Sequence, residues 1–486
     1  MSKLTKKEKW IMAVMTLAVF AAMFAFFFTA HPIVILDSDD WQYISYSRPA
    51  VPYTNFWNPA RILPEILMPA CGSLAAVLYH FGAAGYIESQ MLVFSAVLSA
   101  FIAFYILAFT VLIKKRFSLP VYMSVALGIF FLLLHFLIFR NAKSDNLYMF
   151  WSYDATCVFY YTIPSLLCCT LVMYFESSGI LENFFSANRI LLKSLLVIAI
   201  YLAVFSNLFN SVIIAVYMAY EIIRSRKIKL MPLMIVLLWA VSLIFEALGG
   251  RGSVSMGDAL NLKDAFNNLL TDFSSFSIYF ELLLLAIPAF SLVLLFALKK
   301  KNSDMALSLR PHLFAFFAIS VFEVLLCAKV NALYMLRPQV FFGTAFAIFM
   351  MICICLAYIL KEMPRLFLAV PVLLLVMLSV TNTQEITFAE SNTMNLPWQT
   401  CVRIDNDIIS QVVEADKAGL EKMTLDVMDT GVDDNWPHTS YTGVGISQSL
   451  YKHGLTGRKI EIDVHWSLDF NERNGLNITE FSEDRY

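Results

Sequence analysis

From Trp10 to Thr29 the chain runs for twenty residues without a charged side chain, and apolar stretches of similar length recur as far as residue 381. A helix rises about 1.5 Å per residue, so roughly 20 such residues cross the ~30 Å hydrocarbon layer of a bilayer. A chain that repeats this pattern cannot fold as an ordinary soluble globule. With 59% hydrophobic and 15% charged residues among 486, it reads as an α-helical polytopic membrane protein. Crossings are expected at 10–29, about 91–113, 120–139, 159–175, 190–207, 209–223, 230–248, 278–298, 312–330, 340–360 and 366–381, about eleven transmembrane helices in all. The stretch 62–81 is short and carries Pro64, Glu65 and Pro69. It is expected to lie in the interface or to re-enter rather than to cross.

Basic residues orient the spans. Lys3, Lys6, Lys7 and Lys9 precede the first run, and Lys114, Lys115 and Arg116 close the second. Arg224, Arg226, Lys227 and Lys229, then Lys299 to Lys301, then Lys361 and Arg365 fall on the same side once the spans alternate. The positive-inside bias makes that side cytoplasmic. The first run is too long for a signal peptide and has no small-residue cleavage site before His31, so it is expected to stay as an anchor with the N-terminus in the cytoplasm. An odd number of crossings then places the C-terminus outside, together with loops at about 30–90, 140–158, 249–277 and 331–339.

Residues 1–381 form the membrane domain and carry 27 Lys and Arg against 19 Asp and Glu; residues 382–486 carry 8 against 18. So acidic a tail argues against nucleic acid as a partner. Its pattern reads as a small α/β domain: a helix from about Asn406 to Ala418 capped by Asp405, a strand over 422–428, a helix over 441–453 and a strand over 459–466. Asp433, Asp434, His438, His453 and His465 lie there without metal-ligand spacing, and the eight cysteines are scattered without CxxC pairs. No metal or disulfide framework is expected. The tail is expected to pack on the outer loops or to cover an acceptor.

The first outer loop, Leu36 to Pro69, is the chemically densest stretch. Asp37, Asp39 and Asp40 stand just beyond an apolar helix, where mutual repulsion and a low-dielectric wall raise carboxylate pKa values toward those of usable bases. Arg48 and Arg61 offer planar forks for phosphate oxygens, and Trp41 and Trp57 offer flat faces for sugar rings. Other outer loops add Arg140, Lys143, Trp151, Tyr153 and Asp154, then Arg251 beside Gly249 and Gly250, then Tyr334 and Arg337. Arginines on the outer side run against the positive-inside bias, so an anionic group on that face is expected to compensate for them. Glu323 lies mid-span, where a carboxylate needs a polar cavity or a buried hydrogen bond.

The motif Asp39-Asp40-Trp41 followed by Ala60-Arg61-Ile62-Leu63 resembles the "DD … GR-x-L" pattern of the serotype-converting O-antigen glucosyltransferases of temperate phages and their bacterial hosts, within the GT-C class of membrane glycosyltransferases. Ala60 stands where that family has glycine. Trp151 to Pro164 is similar to the "W … Y … P" segment of related envelope glucosyltransferases. The resemblance implies a GT-C-like membrane domain in the bacterial inner membrane with a periplasmic α/β tail. It also implies an undecaprenyl-phosphate-linked glucose donor and a hydroxyl acceptor on an O-antigen repeat unit of lipopolysaccharide. By analogy Asp39 is the general base, Asp40 a positioning group and Asp37 the alternative base. Arg61, Arg251 and Arg337 are the phosphate ligands, and Arg48, Trp41, Trp57, Trp151, Tyr153, Asp154 and Glu323 are further substrate contacts. A monophosphate leaving group held by arginines requires no cofactor. Two rivals stand beside this reading: an O-antigen polymerase, whose large soluble domain usually lies between spans, and a lipid-linked sugar flippase or transporter, for which inverted repeats are expected.

Overall fold

A computed structural model describes residues 4–52, 57–139, 147–184, 190–226, 229–249, 260–298, 304–381 and 388–476. Arg140, Lys143 and Arg251 lie outside the described residues. Among those described, eight helices are long and apolar enough to cross a membrane. They are α1 (Lys6–Ala25, prolonged by a π-helical turn to Ala30), α4 (Tyr86–Phe117), α6 (Ala155–Ser178), α8 (Leu208–Ser225), α9 (Leu230–Gly249), α11 (Ile278–Ala297), α12 (Asp304–Val330) and α13 (Pro338–Glu362). Three shorter apolar helices, α5 (Val121–Leu137), α7 (Ile190–Val204) and α14 (Val370–Thr381), occupy the other expected positions. The polytopic helical character is thus as the sequence indicates.

The helix ends sort by charge. Lys114 at the end of α4 pairs with Glu8 at the start of α1 (2.7 Å), Lys115 donates to the Ser177 carbonyl at the end of α6 (3.1 Å), and Arg116 donates to Ser308 at the start of α12 (2.8 Å). At the opposite ends, Thr156 at the start of α6 bonds Asp40 of α2 (Ser38–Tyr43), and Tyr86 at the start of α4 bonds His453 of the tail (2.7 Å). Helix α3 (Pro64–His80) is not among the eight span-length apolar helices. Its first turn carries Glu65, the partner of Arg48 and Arg61, and at its last residue His80 Nε2 meets the His453 carbonyl of the tail (2.7 Å). Pro64 stands at its first turn and Pro69 lies inside it.

One sequence expectation is refined and another corrected. The loop expected over 249–277 contains α10 (Leu262–Ser274), a helix that buries Ala265, Leu269 and Asp272 and leaves Leu262, Phe266 and Leu270 exposed beside its polar residues. It is too short and too polar to register as a span. In the tail, Asp405 does not cap a helix: α15 runs from Trp398 to Lys417, and Asp405 is fully buried inside it. The apolar stripe of Cys401, Ile404, Ile408, Val412 and Ala415 begins further upstream, and Pro397, with no N–H to donate, sets the start.

The rest of the tail folds as expected. β1 (Lys422–Met428) pairs in parallel with β2 (Glu461–Ser467), from Lys422 opposite Glu461 to Met428 opposite Ser467, and α16 (Thr442–Lys452) makes the crossover. A short α17 (Leu468–Arg473) closes the domain. This domain clamps α2. Ser38 bonds Thr439 (3.0 Å) and Thr442 and donates to the Pro437 carbonyl (2.6 Å), while Ser449 donates to the Trp41 carbonyl (2.5 Å). His438 Nε2 contacts the Leu36 carbonyl (3.1 Å) and Lys452 donates to that of Ser45 (2.8 Å). Gly445 of α16 sits directly on α2: a Cβ there would lie 3.0 Å from Gln42 N and 3.2 Å from its Cα. The tail therefore forms one body with the aspartate helix.

Candidate functional site

Helix α2 is only six residues long, and its carboxylates divide the labour. Asp40 Oδ2 accepts the N–H groups of Leu36 (3.1 Å) and Asp37 (3.3 Å), which closes the helix start, and its Oδ1 accepts the N–H and hydroxyl of Thr156 (2.6 and 2.7 Å). Four bonds occupy both oxygens. Asp40 thus ties the first loop to the start of α6, and burial, opposed by those bonds, pushes its pKa up to about 6. Asp37 is buried too. It accepts Thr393 Oγ1 (3.0 Å), and desolvation, then the charges of Asp154 and Asp40, raise it well above the usual carboxylate range. Asp39, one residue from Asp40, is left on the outer face of the turn and half-buried.

That face lines a cavity of about 830 Å³. Asp39 and Tyr43 come from α2, Arg61 from the turn before α3, Tyr153 and Asp154 from the turn before α6, and Tyr334 and Arg337 from the turn before α13. The remaining wall has two characters. Leu208 and Phe209 of α8 and Leu326 and Val330 of α12 are apolar and belong to the bundle, whereas Thr393, Asp434 and Trp436 belong to the tail. One chamber is therefore bounded by membrane helices on one side and by the polar domain on the other.

The two guanidinium groups are held differently. Glu65, fully buried, takes Arg48 in a bidentate pair, accepts the Tyr160 hydroxyl (2.9 Å) and reaches Arg61 one helical turn away (3.9 Å). Arg61 thus leans on a carboxylate already engaged elsewhere. Arg337 lies over the rings of Tyr334 (4.3 Å) and Tyr153 (4.6 Å), and among the described residues no carboxylate comes within ion-pair distance of it. A half-buried guanidinium stacked on π faces keeps donors that can take an anion. Asp154 begins α6 by accepting the Cys157 N–H, and desolvation followed by the charge of Asp40 pushes it up to about 7. Among the described residues no three His, Cys, Asp or Glu side chains group as metal ligands. Among the described residues the cations that line the cavity are Arg61 and Arg337.

Of the expected site residues, Asp39, Arg61, Arg337, Tyr153 and Asp154 share this chamber, while Asp37, Asp40, Arg48, Trp41, Trp57, Trp151 and Glu323 do not line it. Trp41 is fully buried beneath the tail, so no sugar can stack on it. Trp57 packs edge-on against Phe205 (5.9 Å) and Phe245 (5.6 Å). Trp151 donates to the Glu390 carbonyl (2.8 Å) and backs Tyr153 (4.7 Å). Arg48 is consumed by Glu65. Glu323 accepts Thr344 (2.8 Å), itself bonded to Ser320, inside the α12–α13 contact and serves packing. The sequence reading passed over Glu65, Thr156 and Thr393. Glu65 had a signal, four residues beyond Arg61 on a helix face; the other two act through distant chain segments and had none.

No protein-family model, curated protein or solved structure matches the chain.

Proposed function

We propose that the chain is a membrane glycosyltransferase that moves a hexose, glucose by its resemblance to the serotype-converting enzymes, from undecaprenyl phosphate to a hydroxyl of an O-antigen repeat unit. On this reading the cavity end faces the periplasm of a bacterial inner membrane. The supporting observation is the meeting of Asp39 with Arg61 and Arg337 in a chamber walled by apolar helices on one side and a polar domain on the other. A lipid-linked donor needs the first wall for its tail, and a hydrophilic acceptor needs the second.

The chemistry maps onto side chains. The acceptor oxygen attacks the anomeric carbon, the bond from that carbon to the phosphate oxygen breaks, and the electron pair leaves with the phosphate. Asp39 takes the acceptor proton. Arg337 and Arg61 stabilise the charge that grows on the departing phosphate, a contribution largest where water is scarce. Asp154, close to its proton-exchange range near pH 7, is a further carboxylate of the chamber, as are Glu246 and Asp434. Asp40 and Asp37 act by position on α2, and Glu65 does the same for Arg48 and Arg61.

The test compares lipopolysaccharide from cells bearing the wild-type gene, no gene and Asp39→Asn. Mass analysis is expected to show one added hexose per repeat unit only with the wild type. Full modification by Asp39→Asn at equal membrane abundance refutes the assigned base, and no added hexose in any strain refutes the transfer.

A further inference from the structure

Beside the main chamber lies a second hollow of about 640 Å³, between α10 and the end of α12. Asn261, Asp264, Asn267 and Asn268 line one side, and Lys329 and Asn331 line the other. Val330 and Leu333 line both hollows, so the two are neighbours across these side chains. The volume falls in the ~300–1,000 Å³ range of small-ligand sites.

Asn261 is engaged by Asp264 at both its carboxamide oxygen and nitrogen (3.3 and 2.7 Å), whereas the other three amides are only partly engaged by the protein or not at all. Asn268 Nδ2 donates to the Ala332 carbonyl (2.8 Å), which leaves its Oδ1, and Asn331 Oδ1 accepts the Leu333 N–H (2.9 Å), which leaves its Nδ2. The Asn267 carboxamide makes no hydrogen bond among the described residues, and its residue is exposed. A carboxamide presents one acceptor and two donors in a plane, a match for neighbouring hydroxyls of a sugar ring. A nucleobase would want an aromatic platform, and none lines the hollow; a phosphate would want a cluster of cations, where the lining has Lys329 alone. Amides next to a reaction chamber select a neutral polyhydroxy ligand.

We propose that this asparagine-lined hollow is an acceptor subsite that binds sugars of the polysaccharide beyond the one being modified. The proposal rests on the transfer reading for its place beside the reacting centre, but not for its ligand chemistry. It gives α10, which the span pattern does not disclose, a task in holding an acceptor longer than one unit.

The experiment titrates purified full-length protein in detergent with oligosaccharides of two to three repeat units, cut from the host's own polysaccharide, with no donor present. Asn267→Trp, which fills the hollow from an exposed position, is expected to weaken binding about tenfold or more, and Asn267→Ala about threefold through the lost hydrogen bonds. Because neutral amides are little screened, raising salt from about 0.05 to 0.3 M is expected to change wild-type binding less than about twofold. Wild-type affinity in both variants overturns the subsite, and a steep loss with salt overturns the neutral ligand in favour of an anion at Lys329. If binding follows these expectations but no hexose is transferred, the subsite stands and the transferase reading fails. If transfer proceeds and both variants bind normally, the reverse holds.

Discussion

The contact between Gly445 and α2 gives the sharpest test of the claim that the tail positions the aspartate helix. Substitution by Ala places a methyl 3.0 Å from Gln42 N, 3.2 Å from Gln42 Cα and 3.3 Å from the Trp41 carbonyl carbon. Comfortable separation for such atoms is about 3.5–4.0 Å, so the two helices must part by roughly 0.3–0.5 Å. All three neighbours are backbone atoms of a helix already tied by Ser38 and Ser449 and cannot swing aside. Overpacking of this kind costs about 1–3 kcal/mol, while replacing a helical glycine by alanine returns about 1. The net loss is therefore about 1 kcal/mol for Gly445→Ala and about 2 or more for Gly445→Val, which is bulkier and a poorer helix former. Gly457→Ala is the control, since its Cβ would meet only Asp416 side-chain atoms, 3.6 and 4.0 Å away. Differential scanning fluorimetry in detergent reads the stability. Hexose transfer from a polyprenyl-phosphate donor reads the site, where a displacement approaching 1 Å can cost up to about 100-fold. Equal melting and equal rates for Gly445→Val and Gly457→Ala would falsify the clamp.

Arg337→Lys keeps the charge but loses the planar stack on Tyr153 and Tyr334, and Arg337→Ala loses both; donor KM is expected to rise about tenfold in the first and further in the second, through cation–π contacts of ~1–2 kcal/mol. A donor KM unchanged in the Ala variant removes Arg337 from the phosphate site. Asp154 has a folded pKa of about 7 against an ordinary 3.8, so between these values the folded chain binds more protons than the unfolded one and stability rises as pH falls through that window. Melting temperature is expected to be higher at pH ~5.5 than at ~7.5, with a flatter profile in Asp154→Asn; parallel profiles would contradict the shift assigned to this residue. All eight native cysteines are buried, so Glu421→Cys on the exposed start of the tail sheet supplies a single accessible thiol. A membrane-impermeant maleimide is expected to label it in intact spheroplasts, and labelling only after lysis reverses the proposed orientation.

What the amino-acid order alone determined is what short-range physics controls. Runs such as Trp10 to Thr29 are legible because a membrane helix satisfies its backbone within itself, so length and apolarity suffice. The parallel strands of the tail were legible for a similar local reason, the two-residue alternation of Ile460, Ile462 and Val464. Asp39, Arg61 and Arg337 stood out by charge in an apolar chain. Only the tertiary structure decided which of the adjacent aspartates faces the chamber, because Asp39 and Asp40 differ in sequence by one step and in space by the side of a helical turn. Thr156, 116 residues further on, takes Asp40 and leaves Asp39 outward. The same holds for the tryptophans: a flat ring suits a sugar or a core equally well, and burial of Trp41 beneath a domain some 400 residues away settles the choice. Periodicity and charge act within a few residues, whereas hydrogen-bond saturation and burial depend on whatever distant segment arrives to supply the partner.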